Sequence, residues 1–268
     1  LLVRNTTWTS SRDTSLGLNF TGVTYYDGQG FMVRKKLKVN SALELSGASV
    51  CTQQGTTTEL NLADYFRSKN MKFEAVVFAT SDETIKAYDA GRCDVFTTDA
   101  SGLYAERLRL ANADEHMVLP EVISKEPLGP AVRHGDDQWF DIVKWTQYVL
   151  VSAEELGVTK ANVDQMKTST NPDIKRMLGV EGDFGKSLGL NNDFAVNVIK
   201  AVGNYGELFE RTLGTGSASS GARTRSGPRA ACNTPRRSAD ADGRKAGMGG
   251  RLSASSDLRV GSYPGSEL

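Results

Sequence analysis

The sequence contains few of the residues that metal sites and catalytic centres use. Its 268 residues include only two histidines and three cysteines, and His116 and His134 do not have the spacing of metal ligands. No pairing of a nucleophile with a general base stands out either. We therefore predict no metal site, no cofactor and no catalytic residue, and we expect both histidines at the surface or in a hinge.

The sequence also has no excess of charge of one sign and no long apolar run. The 32 basic and 32 acidic side chains balance, which argues against a dedicated nucleic-acid or anionic-membrane binder. No run reaches the roughly 18 apolar residues of a membrane-spanning helix, and no segment has the pattern of a signal peptide. An initiator methionine is lacking too, because the chain begins at Leu1. We interpret the chain as a fragment whose upstream part, with its signal peptide, is missing.

The last part of the chain is poor in apolar residues. From Ser217 to Leu268 only six residues are Val, Ile, Leu, Met, Phe, Trp or Tyr, and nine basic side chains stand against four acidic ones. Such a segment has too little apolar surface to offset the entropy lost on ordering. We predict that residues 217–268 form a disordered tail.

From Ala48 onward the sequence alternates strand-like and helix-like segments. "ASVCTQ", "KFEAVVFAT", "RCDVFTTD" and "HMVLPEVI" read as strands, and amphipathic helices are predicted between them. This β-α-β-α-β-α-β order predicts an α/β fold with a mostly parallel sheet covered on both faces. After residue 130 the pattern becomes helical, with long helices predicted in "DQWFDIVKWTQYVLVSAEELG" and "NDFAVNVIKAVGNYGELFERTLG".

The order of these segments predicts two lobes and a hinge. Residues 1–32 would form a first part of lobe one and the hinge, residues 33–127 a compact α/β lobe two, and residues 128–216 a mostly helical return to lobe one. The chain would therefore cross between the lobes twice.

A hydroxyl-rich helix start lies in "QGTTTE". Gly55 permits a tight turn after a strand, and Thr56, Thr57 and Thr58 follow where the first turn of a helix begins. Free N–H groups and the positive end of the helix dipole suit a carboxylate or phosphate there. The alternative is that one threonine merely caps the helix, with Glu59 in a loose capping box.

Two charged residues could complement this helix start. Arg12 follows the hydroxyl-rich "NTTWTSS", and a guanidinium beside hydroxyls and amides can bind a carboxylate in a bidentate manner. Asp99 ends a predicted strand at the sheet edge where α/β proteins bind ligands, and it could receive an ammonium group. Alternatively, Arg12 is a solvated surface group and Asp99 a helix N-cap.

"NTTWTSSR", "QGTTTE" and "GRCDVFTTD", in this order, resemble the periplasmic amino-acid-binding proteins of ABC transporters, in particular the polar or general L-amino-acid group. The resemblance extends from about Leu2 to Gly216 and includes "LADYF", "NPDIKRMLG" and "GDFGKSLGL". It implies a two-lobed fold with two hinge crossovers. A single free L-amino acid would bind between the lobes, and the ligand would be delivered to a membrane permease. It also implies a periplasmic location, and we expect a monomer.

The resemblance also assigns ligand-binding roles. Arg12 matches the arginine that holds the α-carboxylate, Thr7 and Thr57 match positions that offer hydrogen bonds to it, and Asp99 matches the acid that receives the α-ammonium. Asn5 lies on the ligand-facing loop. Thr56, beside Thr57 at the helix start, is a further predicted contact.

Cys51 and Cys93 precede the two ligand-bearing strand ends. If those strands are neighbours, as the resemblance implies, the two cysteines would form a disulfide; the alternative is two buried free thiols. Cys232 lies in the predicted tail and is expected to be unpaired.

The sequence departs from the family at both ends. The opening strands and helices of lobe one are lacking, so lobe one is expected to be incomplete and to expose apolar helix faces. One allowed coding of Ser226 to Pro235, read one base earlier, gives Trp-Thr-Lys-Gly-Gly-Leu-Gln-Tyr-Ala, which resembles the family's C-terminal segment. We therefore interpret the tail as out-of-frame translation.

Other functions stay open from the sequence alone. They are a periplasmic dehydratase on the same fold, a sensory ligand-binding domain, and a non-functional product of a truncated reading frame. The dehydratase would need an acid–base group in the cleft.

Overall fold

The computed structural model describes residues 1–214 and residue 217. The predicted disordered and out-of-frame tail therefore lies, apart from Ser217, outside the described residues. None of the helices in the described part of the chain is both long and apolar enough to cross a membrane.

A five-stranded mixed sheet forms the centre of the α/β part. Its strands are β3 (Gln29–Arg34), β4 (Ser49–Gln53), β5 (Glu74–Phe78), β6 (Val95–Asp99) and β7 (His116–Val118), in the spatial order β5-β4-β6-β3-β7. β4 pairs in parallel with β5 and with β6, whereas β3 pairs antiparallel with β6 and β7. The predicted mostly parallel sheet is confirmed, with β3 as its one reversed strand.

Three helices connect the parallel strands and cover both faces of the sheet. They are α2 (Thr57–Ser68), α3 (Ser81–Asp89) and α4 (Ala100–Arg107). Successive residues of a strand point to opposite faces, and β3 follows this rule. Met32 packs in one core with Tyr88 and Leu103, and Phe31 packs in another with Leu62.

The helical part follows the sheet in the chain. Its main helix, α5 (Asp137–Glu155), buries only Val149 and Ala153 and leaves Trp145 and Tyr148 about two-fifths exposed. Four shorter helices complete a separate apolar cluster: α6 (Val163–Met166), α7 (Pro172–Met177), α8 (Phe184–Ser187) and α9 (Phe194–Val202). The last helix of the described part, α10 (Tyr205–Thr212), follows α9.

The single long helix predicted over the last of these segments is wrong. The structure breaks it into α9 and α10 at Gly203, whose φ of 80° lies in the left-handed region that favours glycine. Asn204 then caps α10 in a capping box with Glu207.

Two antiparallel ladders join the sheet and the helical part. β1 (Leu18–Phe20) pairs with β9 (Ala131–Arg133), and β2 (Tyr25–Asp27) pairs with β8 (Glu126–Leu128). The chain passes through these crossover ladders once in each direction. The ladders are packed so tightly that a Cβ atom added at Gly129 would lie 2.1 Å from the carbonyl oxygen of Gly22.

The N-terminal segment, residues 1–14, runs along these ladders. Leu2 bridges to Ala131 and Thr7 bridges to Leu128, and the segment ends in the short helix α1 (Ser10–Thr14). Thr7 and Arg12 are thereby placed beside the crossover ladders.

The expectation that both histidines lie at the surface or in a hinge is wrong for His116. This residue is buried and its Nδ1 lies 2.8 Å from the hydroxyl of Tyr88. His134 is exposed, and its Nε2 lies 3.0 Å from the carbonyl oxygens of Asp13 and Leu18.

Cys51 and Cys93 form the predicted disulfide. Their Cα atoms are 5.8 Å apart, within the usual range for a disulfide. The bond links β4 to the residues just before β6, because these two strands are neighbours in the sheet.

Candidate functional site

A polar cavity of about 280 Å³ lies where β4 and β6 end. The N-terminal segment lines one part of this cavity, and the start of α2 and residues Gly102, Ala105 and Glu106 of α4 line another. Five of the six predicted ligand-binding residues line it: Asn5, Arg12, Thr56, Thr57 and Asp99. The structure thus brings together residues that are up to 94 positions apart in the sequence.

The three threonines at the start of α2 make three different contacts. The Thr56 hydroxyl is the N-cap, donating to the Gln53 carbonyl at 2.7 Å and accepting from the Glu59 N–H at 3.2 Å. The capping interpretation therefore holds for Thr56. The Thr57 hydroxyl donates to Glu126, and the Thr58 carbonyl accepts from the Gln29 amide.

Capping leaves N–H groups in the first turn of α2 that have no acceptor within the helix. These groups and the positive end of the helix dipole favour an anion beside Thr57.

Arg12 is half-buried on α1 and reaches the same cavity. Its Nη1 donates to the Thr7 carbonyl at 2.9 Å, which fixes one arm of the guanidinium. None of the ion pairs found among residues 1–214 involves Arg12. Its positive charge is therefore not matched by a protein carboxylate in direct contact.

Asp99 is the last residue of β6 and is only 3% exposed. It occupies the N-cap position of α4, but its side chain makes no capping hydrogen bond. Its Oδ2 instead accepts from the Asn5 Nδ2 at 2.8 Å, across the cavity. The N-cap alternative thus describes its backbone position and not the role of its carboxylate.

Burial, followed by repulsion from Asp27, raises the pKa of Asp99 to about 7. The hydrogen bond from Asn5 and the charge of Arg12 act in the opposite direction, whereas Glu126 adds to the rise. A positive group placed against Asp99 would stabilise its ionised form.

Thr7 lies one layer behind the cavity. Its hydroxyl donates to the Glu126 Oε2 at 2.5 Å and lies 3.4 Å from the Thr57 hydroxyl. Thr7 is not one of the described residues that line the cavity. The Thr7 and Thr57 protons are therefore directed to Glu126 in this structure.

Sequence reasoning missed the two buried carboxylates that the β2–β8 ladder contributes. Asp27 and Glu126 are paired in register and are 7% and 2% exposed. Asp27 accepts from the Ser101 hydroxyl and from the Gly28 N–H, and burial raises its pKa. In the sequence, "YYDGQG" and "KEPLG" give no signal of burial, because acidic residues beside glycine or proline are typical of exposed turns.

Comparison with known proteins finds close relatives. The chain is 69% identical over 219 residues to the general L-amino acid-binding periplasmic protein AapJ of Rhizobium johnstonii, covering 81% of this chain and 64% of that protein. It is 58% identical over 219 residues to the glutamate/glutamine/aspartate/asparagine-binding protein BztA of Rhodobacter capsulatus, covering 81% of this chain and 65% of that protein. The chain thus spans just under two thirds of these relatives.

A solved structure agrees with these relatives, although no family model matches the chain. It is an ABC transporter periplasmic binding protein from Brucella ovis with glutathione bound, 60% identical, with a TM-score of 0.78, covering 81% of this chain and 68% of that one. The predicted two-lobed α/β fold class is confirmed by this likeness. By its fold and its relatives, the chain belongs to the family of periplasmic binding proteins of ABC transporters.

Proposed function

We propose that the protein binds a free L-amino acid in the cavity between its two lobes and delivers it to an ABC permease in the membrane. The observation that carries this proposal is the placement of Arg12 and the α2 N-terminus, which favour an anion, in the same cavity as the buried carboxylate of Asp99. An amino acid carries both a carboxylate and an ammonium group on one carbon. One small zwitterion can therefore satisfy both ends of the cavity.

The carboxylate end would lie between Arg12 and the first turn of α2. One arm of the guanidinium is held by the Thr7 carbonyl, which leaves the other N–H groups to form charge-assisted hydrogen bonds. Backbone N–H groups beside Thr57 complete the anion site, and Thr56 keeps the helix start in place. Thr7 contributes through its carbonyl and its bond to Glu126.

The ammonium end would lie against Asp99. The Asn5 amide donates to this carboxylate in the structure, and a ligand ammonium would donate to it in the same way with a full charge. Asn5 would then turn its amide towards the ligand. No residue of the cavity is assigned a catalytic role in this proposal.

We further propose that residues 33–127 act as lobe two and residues 1–32 and 128–216 as parts of lobe one, with closure about the crossover ladders. A ligand that contacts both lobes shifts such a protein towards its closed state. A periplasmic location and a permease partner are proposed because AapJ and the Brucella ovis protein are periplasmic binding proteins. We also propose that the protein is a monomer.

A thermal-shift titration with L-amino acids tests the proposal. The panel contains L-glutamate, L-glutamine, L-aspartate, L-asparagine, L-arginine and L-alanine, with glutathione and the D-enantiomers as comparisons. A ligand that binds only the folded state adds about 2.7 kcal/mol of stability at a hundredfold excess over its dissociation constant. We expect a saturable rise in the melting temperature with at least one L-amino acid.

Arg12→Ala and Asp99→Asn are expected to abolish this rise. Arg67→Ala is the matched control, because Arg67 is exposed and, within the described part of the chain, forms its ion pair with Asp64 on the surface of α2. A cooperative transition that no amino acid of the panel moves would contradict the proposed function.

A further inference from the structure

Glu126 is a buried carboxylate with four hydrogen-bond donors. Its Oε2 accepts from the hydroxyls of Thr7 at 2.5 Å and Thr57 at 3.2 Å, and its Oε1 accepts from the Asn61 Nδ2 at 2.7 Å and the Ser124 hydroxyl at 2.5 Å. No ion pair among the described residues includes Glu126. Its four hydrogen-bond partners within residues 1–214 are neutral donors.

These donors come from opposite sides of the cleft. Thr7 belongs to the N-terminal segment, which bridges to β8, the strand that carries Glu126. Thr57 and Asn61 lie on α2, four residues apart and therefore on one helix face. Glu126 thus joins the crossover ladders and the N-terminal segment to the helix whose start faces the ligand cavity.

Separating α2 from the N-terminal segment would break the bond from Thr7, because Glu126, Thr57 and Asn61 all belong to residues 33–127. A buried carboxylate that loses its donors is strongly destabilised, because each bond to a charged group contributes more than a neutral one. An open cleft would therefore leave Glu126 short of the Thr7 donor unless water replaced it.

We propose that Glu126 is a positioning residue that holds the cleft closed and aligns the α2 N-terminus with Arg12, without touching the ligand. The effect of Glu126 on affinity rests on the proposed function. Its effect on cleft closure does not depend on a ligand. Glu126 does not line the cavity, unlike Arg12 and Thr57.

Glu126 also acts on Asp99 through its charge. Asp99 faces Asp27 and Glu126, which raise its pKa, and Asn5 and Arg12, which lower it. Arg4 and Glu106 line the same cavity. A ligand ammonium needs the ionised form of Asp99, so affinity should fall as the pH drops below the pKa of Asp99. Removing either neighbouring carboxylate should move this fall to lower pH.

Three variants separate the effect of Glu126 on cleft closure from its effect on the pKa of Asp99. Asn61→Ala removes a donor to Glu126 and no charge, Asp27→Asn removes a charge and no contact to Glu126, and Glu126→Gln changes both. Each variant is first compared with the parent chain by circular dichroism and thermal unfolding, so that a misfolded variant is recognised.

Cleft closure is measured as a distance between two spin labels by double electron–electron resonance. The labels are attached at Leu16→Cys after α1 and Leu60→Cys on α2, where the native side chains are 67% and 68% exposed. Cys232→Ser removes the cysteine outside the native disulfide. Affinity for L-glutamate is measured by titration calorimetry from pH 5 to pH 8.

Asn61→Ala and Glu126→Gln should populate longer label distances without ligand and weaken L-glutamate binding by about tenfold, since fewer molecules are in the binding-competent state. Asp27→Asn should keep the parent distances. Asp27→Asn and Glu126→Gln should both move the pH of half-maximal affinity downward, and Asn61→Ala should not.

Parent-like distances in both Asn61→Ala and Glu126→Gln would overturn the proposal. The proposal would also be overturned if Asp27→Asn reproduced in full the longer distances and the weaker binding of Glu126→Gln, because these changes would then come from charge alone. If the parent chain does not bind L-glutamate or any other amino acid of the panel, the proposed function fails, and the label distances still decide the role of Glu126.

Discussion

The burial of Asp99 in the candidate site lowers the stability of the folded protein. Its carboxylate is 3% exposed and lies near two other buried acids, Asp27 and Glu126, and its pKa is raised to about 7. In the unfolded chain this carboxyl titrates near its ordinary pKa of 3.8. With no cation bound, the ionised Asp99 carboxylate therefore destabilises the folded protein at neutral pH.

The pH dependence of this cost has a definite sign. Between about pH 4 and pH 7 the folded state binds more protons than the unfolded state at Asp99, so stability falls as the pH rises. Asp99→Asn should remove this fall and raise the free energy of unfolding at pH 8 by up to about 4 kcal/mol. Asn5 can still donate to the new amide oxygen. Urea unfolding of both proteins at pH 4.5 and pH 8 measures the difference.

The gain should be smaller at low pH. At pH 4.5 Asp99 is mainly protonated in the folded protein and only just above its ordinary pKa in the unfolded chain, so the difference in the free energy of unfolding should fall to about 1 kcal/mol. Asp94→Asn serves as the control, because hydrogen bonds from Ser49 lower the pKa of Asp94 and its loss should destabilise the protein at pH 8. An Asp99→Asn protein that is less stable than its parent at pH 8 would contradict this account.

Individual site residues could be predicted where a local pattern marks them or, as for Asn5, where the family resemblance assigns them. Arg12, Thr57 and Asp99 follow hydroxyl-rich or strand-end patterns, and all three line one cavity. The contacts of Glu126 could not be predicted, because its bond to Thr7 spans 119 residues of sequence. Its burial depends on how two crossover strands pair, which no local pattern encodes.

At the scale of single elements, propensity predicts helices better than the breaks between them. The residues of α9 and α10 form one apolar-periodic run, and one helix was predicted. Gly203 and the Asn204–Glu207 capping box divide it. The Asn204 Nδ2 also donates to the Val158 carbonyl, a buried contact 46 residues away in sequence. The break is therefore fixed by a tertiary contact as well as by local caps.

Asn204→Ala should destabilise the protein by about 1–2 kcal/mol, because it removes an N-cap and leaves the buried Val158 carbonyl without its donor. Urea unfolding followed by circular dichroism measures the change. Asn197→Ala is the matched control, since Asn197 is exposed within α9 and alanine favours a helix there. Equal unfolding midpoints for the two variants would show that the cap does not stabilise the break.

Over the whole molecule, the alternation of strands and helices predicted the sheet and the covering of both its faces. It did not predict that β3, which precedes this alternation, lies between β6 and β7 as the reversed strand. Alternation specifies connections along the chain but not the spatial order of strands. The order here places the ends of β4 and β6 side by side, which brings the start of α2 close to Asp99.

The Cys51–Cys93 disulfide ties these two strands together, and its reduction should destabilise the whole sheet. It closes a loop with a sequence separation of 42, for which restriction of the unfolded chain contributes about 3–4 kcal/mol. Urea unfolding of the parent chain should shift to lower urea when dithiothreitol is added. Cys51→Ala/Cys93→Ala should unfold near the reduced parent and show no response to dithiothreitol. A parent chain with the same midpoint in both conditions would mean that the pairing of β4 with β6 needs no covalent support.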